Sequence, residues 1–485
     1  MSWKPSEKLK IKTPIPTRII SNGEYDPLEQ TDQQKDVEKN ILEIARHVAG
    51  EQGLSRRDVL VGTGAITIGL LALNKVFGHF FRADMDDAIS LKAQNIFSEQ
   101  VKQQYIFDIQ THMVKDNFYH PSLIQFAEWA KKINQSGLNI KSDSVNMKMF
   151  QFPNFLKEIF IDSDTDQAIL SGATFSNGDP LPNQLLFDVV RSVNDVAQED
   201  ILSGYYVINP RVNGWLERCR QEYVHMKPVG WKLFPVGDPL SPTGRPWRLD
   251  DEKLIYPFYE LAQKSGIKNI CIHKGLLPIS FEKKFPENWH AAGVADLEKA
   301  AKDWPGLNFI IFHSALRPFP GVSVDAELSE FRKTGYLRWT SDLARIKKKL
   351  DAKNIFAEIG TSFASSCITN PEFCAVFLGL LINDIGVDNV LWGTDSVWYG
   401  SPQWQIEAFR RFQIPKEILD QQGWKLDLGE VNGVVRNKIL GLNSAELFGL
   451  SQNKIRKKSK FKSEFIERAQ KTLSERSNQY YGYHK

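Results

Sequence analysis

The chain has 485 residues, with 61 basic against 58 acidic side chains and a formal net charge of +3. This length allows a large core with appended segments, and the balanced charge predicts no nucleic-acid partner. The cysteines, Cys219, Cys271, Cys367 and Cys374, form no C-x-x-C pair. The composition therefore argues against a zinc knuckle and against a disulfide framework.

Residues 1–54 are polar and are predicted to form an extension that adds little to a core. In residues 55–80, Ser55, Arg56 and Arg57 precede a moderately apolar run over 59–73. This S-R-R-x-V-L pattern resembles a twin-arginine export signal, which implies contact with export machinery and a periplasmic location. No A-x-A cleavage site follows, which argues against simple cleavage, so the protein is predicted to be periplasmic or to keep the segment as a membrane anchor facing the periplasm. A buried helix of the catalytic domain is the alternative.

From residue 101 to 450, apolar strands alternate with amphipathic helices, and this alternation predicts an α/β fold, a (β/α)8 TIM barrel. The helices are predicted at 182–196, 215–223, 254–265, 294–303, 341–350 and 371–385. The eight predicted strands are Tyr105–Gln110, Gln167–Ser171, Tyr205–Asn209, Val229–Phe234, Asn269–His273, Asn308–His313, Asn354–Ile359 and Asn389–Gly393.

Ionisable or amide side chains lie at or just after the ends of several predicted strands. Active sites of such barrels lie at the carboxyl ends of the strands, so these side chains are expected to meet there. Gln110 and His112 are two positions apart in an extended segment and share one face. Imidazoles with one carboxylate suit zinc or a similar ion with an open position for water. The set is Gln110, His112, Lys232, His273, His313 and Asp395.

These motifs resemble the amidohydrolase superfamily, specifically the amidohydrolase-related group that includes aminocarboxymuconate semialdehyde decarboxylase. The resemblance covers residues 105–450. It lies in the D-x-(H)-x-H opening, G-x-K-L-x-P in strand four, the histidines of strands five and six, G-T-D at strand eight, and the closing I-L-G-x-N-x-x-x-L-x-G-L. A homodimer is expected by analogy with this group.

The resemblance implies roles for individual residues. His112 and His273 match metal ligands, and Asp395 matches the carboxylate that binds metal and moves protons. His313 matches a histidine that acts in catalysis near the metal. Lys232 matches a strand-four lysine that bridges metals as a carbamate in some members and is a structural or substrate-side residue in many others.

Gln110 departs from the pattern, because it stands where the first metal-binding histidine is expected. A glutamine oxygen binds zinc less well than imidazole does. Three outcomes follow: a mononuclear zinc site of His112, His273 and Asp395 with Gln110 beside it, a harder ion such as manganese, or no metal.

The sequence therefore predicts a metal-dependent hydrolase that attacks an amide, ester or lactone of a small organic substrate with activated water. Asp395 would take the proton, and His313 would stabilise charge or shuttle a proton. One alternative is a non-oxidative decarboxylase, which would use the same residues. The other alternative is not an enzyme but a catalytically silent exported binding protein.

Two further segments complete the sequence-based picture. The loop Val236–Lys253, which is the predicted lid over the barrel mouth, is rich in proline and carries Arg245 and Arg248, which are predicted to bind an anionic group of the substrate. Residues 451–485 form a basic tail that is predicted to be a solvated helix or a disordered segment, or to contact anionic lipid or a neighbouring subunit.

Overall fold

The computed structural model describes residues 13–20, 29–116, 150–173, 181–237, 245–277, 282–283, 285–317, 324–449, 464 and 466–467. Within them, eight parallel strands form one sheet in sequential order. The strands are β1 (Phe107–Thr111), β2 (Gln167–Leu170), β3 (Leu202–Val207), β4 (Gly230–Leu233), β5 (Asn269–His273), β6 (Asn308–Phe312), β7 (Ile355–Glu358) and β8 (Val390–Leu391). Every residue of β1, β4, β5 and β8 is buried, as expected for strands covered on both faces.

The sheet closes between its first and last strands. The Ile109 amide donates to the Trp392 carbonyl at 3.1 Å, and the Asp395 amide donates to the Gln110 carbonyl at 2.8 Å. These bonds join β1 to the segment that follows β8, so the sheet has no open edge there. The prediction of a (β/α)8 barrel is confirmed.

Helices connect and flank the strands. The helix Asn183–Ala197 buries Leu186, Phe187, Val189 and Val193, which recur at helical spacing on one face. The described α-helices are Asp32–Gln52, Arg56–Val59, Ala65–Phe77, Met85–Ile89, Leu91–Val101, Phe152–Leu156, Asn183–Ala197, Trp215–Met226, Tyr256–Ser265, Leu297–Asp303, Val324–Thr334, Thr340–Leu350, Ser362–Thr369, Pro371–Leu380, Gln403–Arg411, Lys416–Gln422, Val434–Asn437 and Asn443–Leu447.

The third strand differs most from its predicted bounds. The sequence predicts Tyr205–Asn209, but β3 begins at Leu202, because Leu202, Ser203 and Gly204 pair with β2. The aromatic pair Tyr205 and Tyr206 lies in the middle of the strand rather than at its start. Predicted and observed bounds coincide for β5.

The interior of the barrel is packed with side chains. Phe107 and Ile109 of β1, Cys271 of β5 and Phe312 of β6 belong to one buried cluster, together with Tyr205. This filled layer forms the floor beneath the carboxyl ends of the strands. Polar residues at those ends therefore lie above an apolar core rather than in an open channel.

The segment predicted as an export signal is folded against the barrel. In the helix Ala65–Phe77, Ile68, Leu70 and Leu73 are each at most 1% exposed and belong to the main hydrophobic core. Downstream, the rings of Phe81 and Phe412 lie 5.2 Å apart. The described part of residues 55–80 is thus packed as an internal helix, which is the alternative that the sequence left open.

No helix among the described residues is both long enough and apolar enough to span a bilayer. Export by the twin-arginine route, a periplasmic or anchored location and a homodimer stay predictions. Residues 117–149 of the loop after β1, residues 238–244 of the predicted lid and nearly all of the basic tail lie outside the described residues.

Candidate active site

The strand ends bring five of the predicted site residues into one connected cluster. β1 supplies Gln110 and, one residue past its end, His112, while β5 ends at His273. His313 follows β6 directly, and Asp395 follows β8. All five side chains are buried, with His112 the most exposed at 8%.

Asp395 lies at the centre of this cluster. His112 Nε2 lies 3.0 Å from Asp395 Oδ1, and Gln110 Nε2 donates to the same oxygen at 3.1 Å. The Thr361 hydroxyl donates to Oδ2 at 2.5 Å, and the Tyr399 hydroxyl donates to Thr361 Oγ1 at 3.1 Å. The buried carboxylate therefore receives donors on both oxygens, as a buried charge requires.

His313 connects Asp395's partner Gln110 to His273. His313 Nδ1 lies 2.8 Å from the Gly360 carbonyl oxygen, which can only accept, so this nitrogen carries the proton. His313 Nε2 then carries the lone pair and faces His273 Nδ1 at 3.2 Å and Gln110 Nε2 at 3.5 Å. The contacts form one continuous network that runs from His112 through Asp395, Gln110 and His313 to His273.

The protonation states of the cluster follow from burial and nearby charge. Burial raises the pKa of Asp395, but the hydrogen bonds from His112 and Thr361 and the electrostatic interactions with His112 and His313 hold this pKa below its ordinary value. Burial lowers the pKa of His313 to about 4, and it lowers the pKa of His273 well below the ordinary value. At neutral pH the site therefore holds a carboxylate beside two neutral imidazoles, those of His273 and His313.

Two more carboxyl groups support the cluster from below. The Glu358 carboxyl accepts the His313 amide at 3.0 Å and the Gly360 amide at 2.5 Å, and burial raises the pKa of Glu358 to about 8. The Asp108 carboxyl accepts the Gln110 amide at 3.1 Å and both the amide and the hydroxyl of Thr394. Burial raises the pKa of Asp108 to about 7. Both groups fix the backbone that presents the site residues.

Three residues of the site have left-handed backbone conformations. The φ angles are 61° at His313, 58° at Thr361 and 57° at Asp395. Such conformations cost a non-glycine residue about 1–2 kcal/mol, and they concentrate where function needs a particular side-chain direction. Each of the three follows a strand end, where the chain must turn sharply while its side chain stays in the barrel mouth.

The predicted substrate residues are placed in two ways: Lys232 is buried close enough to the cluster for its charge to add to the effect of burial in lowering the pKa values of His273 and His313, whereas Arg245 and Arg248 lie in the predicted lid. Lys232 is 1% exposed, and its Nζ lies 3.5 Å from the centre of the Phe312 ring. Arg245 is exposed, and its carbonyl accepts a hydrogen bond from Arg211. Arg248 pairs with both carboxylate oxygens of Asp250 at 2.7 and 2.8 Å. In the described part of the lid, neither arginine contacts the site, and their roles stay predictions.

The sequence did not identify Gly360 and Thr361, and it left Glu358 without a role. Glu358 ends β7, and Gly360 and Thr361 come after Ile359, so the available signal was a carboxylate at a strand end followed by a short polar turn. A Cβ on Gly360 would lie 2.5 Å from both Gln110 Oε1 and Glu358 Oε1. Glycine is therefore required there for the close approach of these two side chains.

The closed barrel with a buried polar cluster at the carboxyl ends of its strands defines a (β/α)8-barrel enzyme. Residues 216–450 match the family model described as Amidohydrolase. This matched stretch, which includes β4 to β8 with His273, His313 and Asp395, is similar to amidohydrolases. No curated protein matches the chain significantly.

Solved structures similar to this chain are distant relatives. They include an uncharacterised TIM-barrel protein from Bordetella bronchiseptica, with 14% identity over 71% of this chain and 99% of that one, and a TM-score of 0.43. A 2,6-dihydroxybenzoate decarboxylase from Rhizobium has 15% identity over 72% and 99%, with a TM-score of 0.39. A putative 2-pyrone-4,6-dicarboxylic acid hydrolase from Pseudomonas putida has 13% identity over 72% and 98%, with a TM-score of 0.41.

Members of the amidohydrolase family typically use a divalent metal ion. The described residues bring His112 and Asp395 together but hold no group of three histidine, cysteine, aspartate or glutamate side chains that could share one ion. His273 faces His313 instead, and Gln110 presents its amide nitrogen to Asp395, while its Oε1 is buried with no hydrogen-bond partner among the described residues. This donor set does not fit the zinc site predicted from the sequence.

Proposed function

We propose that this enzyme hydrolyses the amide, ester or lactone carbonyl of a small organic substrate, with His112 and Asp395 as its proton-transfer pair. The observation that carries the proposal is the 3.0 Å contact between His112 Nε2 and Asp395 Oδ1 in the barrel mouth. A histidine oriented by a buried carboxylate is a recurring arrangement for general-base catalysis.

The proton moves between atoms that this pair positions. When the neutral His112 ring donates Nε2–H to Asp395, its lone pair is on Nδ1. Nδ1 then accepts a proton from the water that attacks the carbonyl carbon, and the Asp395 carboxylate stabilises the imidazolium that results. The same proton passes to the leaving oxygen or nitrogen when the carbonyl bond breaks.

His313 supports this pair from the far side of Gln110. It is fully buried and held by the Gly360 carbonyl, so it positions the Gln110 amide against Asp395 rather than contacting water. No step of the proposal is assigned to zinc or manganese, because the described donors do not assemble three ligands.

The proposal is tested with the full-length protein and a panel of small esters, lactones, amides and carboxylic acids in H₂¹⁸O. Hydrolysis places one ¹⁸O atom in the acid product. Release of carbon dioxide without ¹⁸O incorporation would instead establish the decarboxylase alternative, in which carbon rather than oxygen receives the proton. Turnover of none of the compounds by folded protein would favour the silent binding protein.

Variants then assign the chemistry to the pair. His112→Ala and Asp395→Asn should each lower kcat by about 1000-fold, within the range that general-base groups contribute. His225→Ala, at an exposed position on the helix Trp215–Met226, serves as the matched control and should retain full activity. Equal activity of all three variants would reject the proposed roles.

A further inference from the structure

The side-chain amide of Gln110 has a defined direction. Its Nε2 lies 3.1 Å from Asp395 Oδ1 and 3.5 Å from His313 Nε2. An amide nitrogen carries two hydrogens and offers no lone pair, so Gln110 presents donors to both neighbours. Rotating the amide by 180° would place Oε1 against the Asp395 carboxylate, and two acceptors would then face each other.

The contacts around Gln110 match donors with acceptors without a cation. His313 donates through Nδ1 to Gly360, so its Nε2 has a single lone pair, which faces the donor His273 Nδ1 at 3.2 Å and, in a longer contact, Gln110 Nε2 at 3.5 Å. Asp395 accepts from Gln110 Nε2, His112 Nε2 and the hydroxyl of Thr361. Each contact pairs one donor with one acceptor while both histidines at the His313 end remain neutral.

A divalent ion would require a different arrangement of the same atoms. Zinc needs lone pairs from about four ligands at roughly 2.0–2.2 Å, and here the nitrogen of Gln110 faces the centre instead of a lone pair. His273 is turned to His313 through Nδ1, at 3.2 Å. Only His112 and Asp395, among the described residues of the cluster, are placed as a ligand pair.

We infer that Gln110 holds this site in a metal-free, hydrogen-bonded form, in which its amide binds the Asp395 carboxylate in the place of a cation. The inference relies on the proposed function only for where the site lies. It does not depend on which bond of a substrate the enzyme breaks. It assigns to Gln110 a positioning role and predicts that exchanging its donor for an acceptor creates a metal site.

Gln110→Glu is the sharpest variant, because glutamate has the shape of glutamine but replaces two hydrogens with a lone-pair-bearing oxygen. The introduced side chain would place a second carboxylate against Asp395, and a cation would relieve their repulsion. Together with His112, the two carboxylates would supply three ligands. The double variant Gln110→Glu with His112→Ala removes one of these ligands and is the matched control.

The experiment measures Zn²⁺ content, Zn²⁺ binding and Tm of the full-length proteins without substrate. The wild type should contain well below one ion per chain, and Zn²⁺ should leave its Tm unchanged. Gln110→Glu should bind one Zn²⁺ per chain, show a higher Tm with Zn²⁺ than with chelator, and take up Co²⁺ with a visible ligand-field spectrum. The double variant should lose most of this binding.

Two results would overturn the inference. One is a wild type that holds one ion per chain and loses it in Asp395→Asn, because the native site would then bind metal. The other is a folded Gln110→Glu protein that binds no more Zn²⁺ than the wild type, because Gln110 would then not be what excludes the ion. If Gln110→Glu does not fold, as circular dichroism would show, the wild-type metal content alone decides. Since no substrate is used, the result is independent of whether hydrolysis is found.

Discussion

Gln110 and Asp395 are joined twice across the seam where the barrel closes. The Asp395 amide donates to the Gln110 carbonyl at 2.8 Å, and the Gln110 side-chain amide donates to Asp395 Oδ1 at 3.1 Å. The first bond belongs to the closure of the sheet, and the second belongs to the site. The position of the central carboxylate is therefore coupled to the closure of the barrel itself.

Replacing Thr361 with valine should change the pH dependence of catalysis. The hydroxyl of Thr361 donates to Asp395 Oδ2, and this hydrogen bond is one of the interactions that lower the pKa of Asp395. Its loss should raise that pKa and move the acidic limb of the kcat/KM profile to higher pH. Tyr399→Phe removes a hydrogen bond one step further from Asp395, to Thr361 Oγ1, and should shift the limb less. An unmoved acidic limb in Thr361→Val would contradict the role of Asp395 as the orienting carboxylate.

Glu358 should make the protein less stable as the pH rises. Its pKa is about 8 in the folded chain against 4.5 for the free side chain, chiefly because of burial. Between these pH values the folded state binds the proton that the unfolded state has released, so the free energy of unfolding falls as pH rises through about 8. In Glu358→Gln this part of the pH dependence should disappear. Urea unfolding from pH 5 to 9 measures the free energy of unfolding at each pH. Glu417 is exposed, so Glu417→Gln is the control, and its pH dependence should parallel that of the wild type.

The ion pair of Lys274 and Asp296 should be important for stability. Lys274 Nζ donates to the two Asp296 oxygens at 2.8 and 3.0 Å and to the Ala291 carbonyl at 2.8 Å, and both side chains are at most 2% exposed. Lys274→Met should lower the free energy of unfolding by about 3–5 kcal/mol, because it leaves a buried carboxylate without its cation.

The matched control for that change is an ion pair on the surface. Lys349 pairs with Glu298 at 2.6 Å, and its side chain is 67% exposed. Lys349→Met should therefore cost about 1 kcal/mol or less. A similar loss in both variants, measured by denaturant unfolding, would contradict the argument from burial.

Residues 55–80 can be tested separately for a role in folding, through Ile68, and for a role in export, through Arg56 and Arg57. Ile68 is fully buried in the helix Ala65–Phe77, so Ile68→Ala should lower the free energy of unfolding by about 2–5 kcal/mol. Arg56 and Arg57 lie at the protein surface, and replacing both with lysine should leave stability within about 0.5 kcal/mol. If the sequence-based export prediction is correct, the lysine pair should keep the protein in the cytoplasm, as cell fractionation would show. If the lysine variant is distributed between the cell fractions as the wild type is, the twin-arginine prediction is wrong.

Arg245 and Arg248 test the predicted lid. Arg248 is paired with Asp250, whereas Arg245 is exposed. If the lid binds an anionic group of the substrate, Arg245→Ala should raise KM and leave kcat nearly unchanged, because exposed charges contribute to binding rather than to the chemical step. Arg191→Ala, an exposed arginine on the helix Asn183–Ala197, is the control. An unaltered KM in Arg245→Ala would exclude this residue from substrate binding.

The sequence by itself determined the fold and the strand ends at which the site lies. Buried parallel strands require continuous apolar runs, and β5 could therefore be predicted to the residue. The same rule placed His112, His273, His313 and Asp395 after apolar runs, so their arrival at one end of the barrel follows from parallel pairing alone. Their assignment as metal ligands and catalytic groups stays a prediction.

Only the tertiary structure decided which atoms face each other. Gln110 and Asp395 are far apart in sequence, and no local pattern states whether the amide presents its nitrogen or its oxygen to the carboxylate. The same holds for the packing of Ile68, since an apolar run has the same composition in an export signal and in a buried helix. Side-chain direction depends on rotamers, on the partners that distant strands supply and on the exclusion of water around them. These arise only when the barrel has closed.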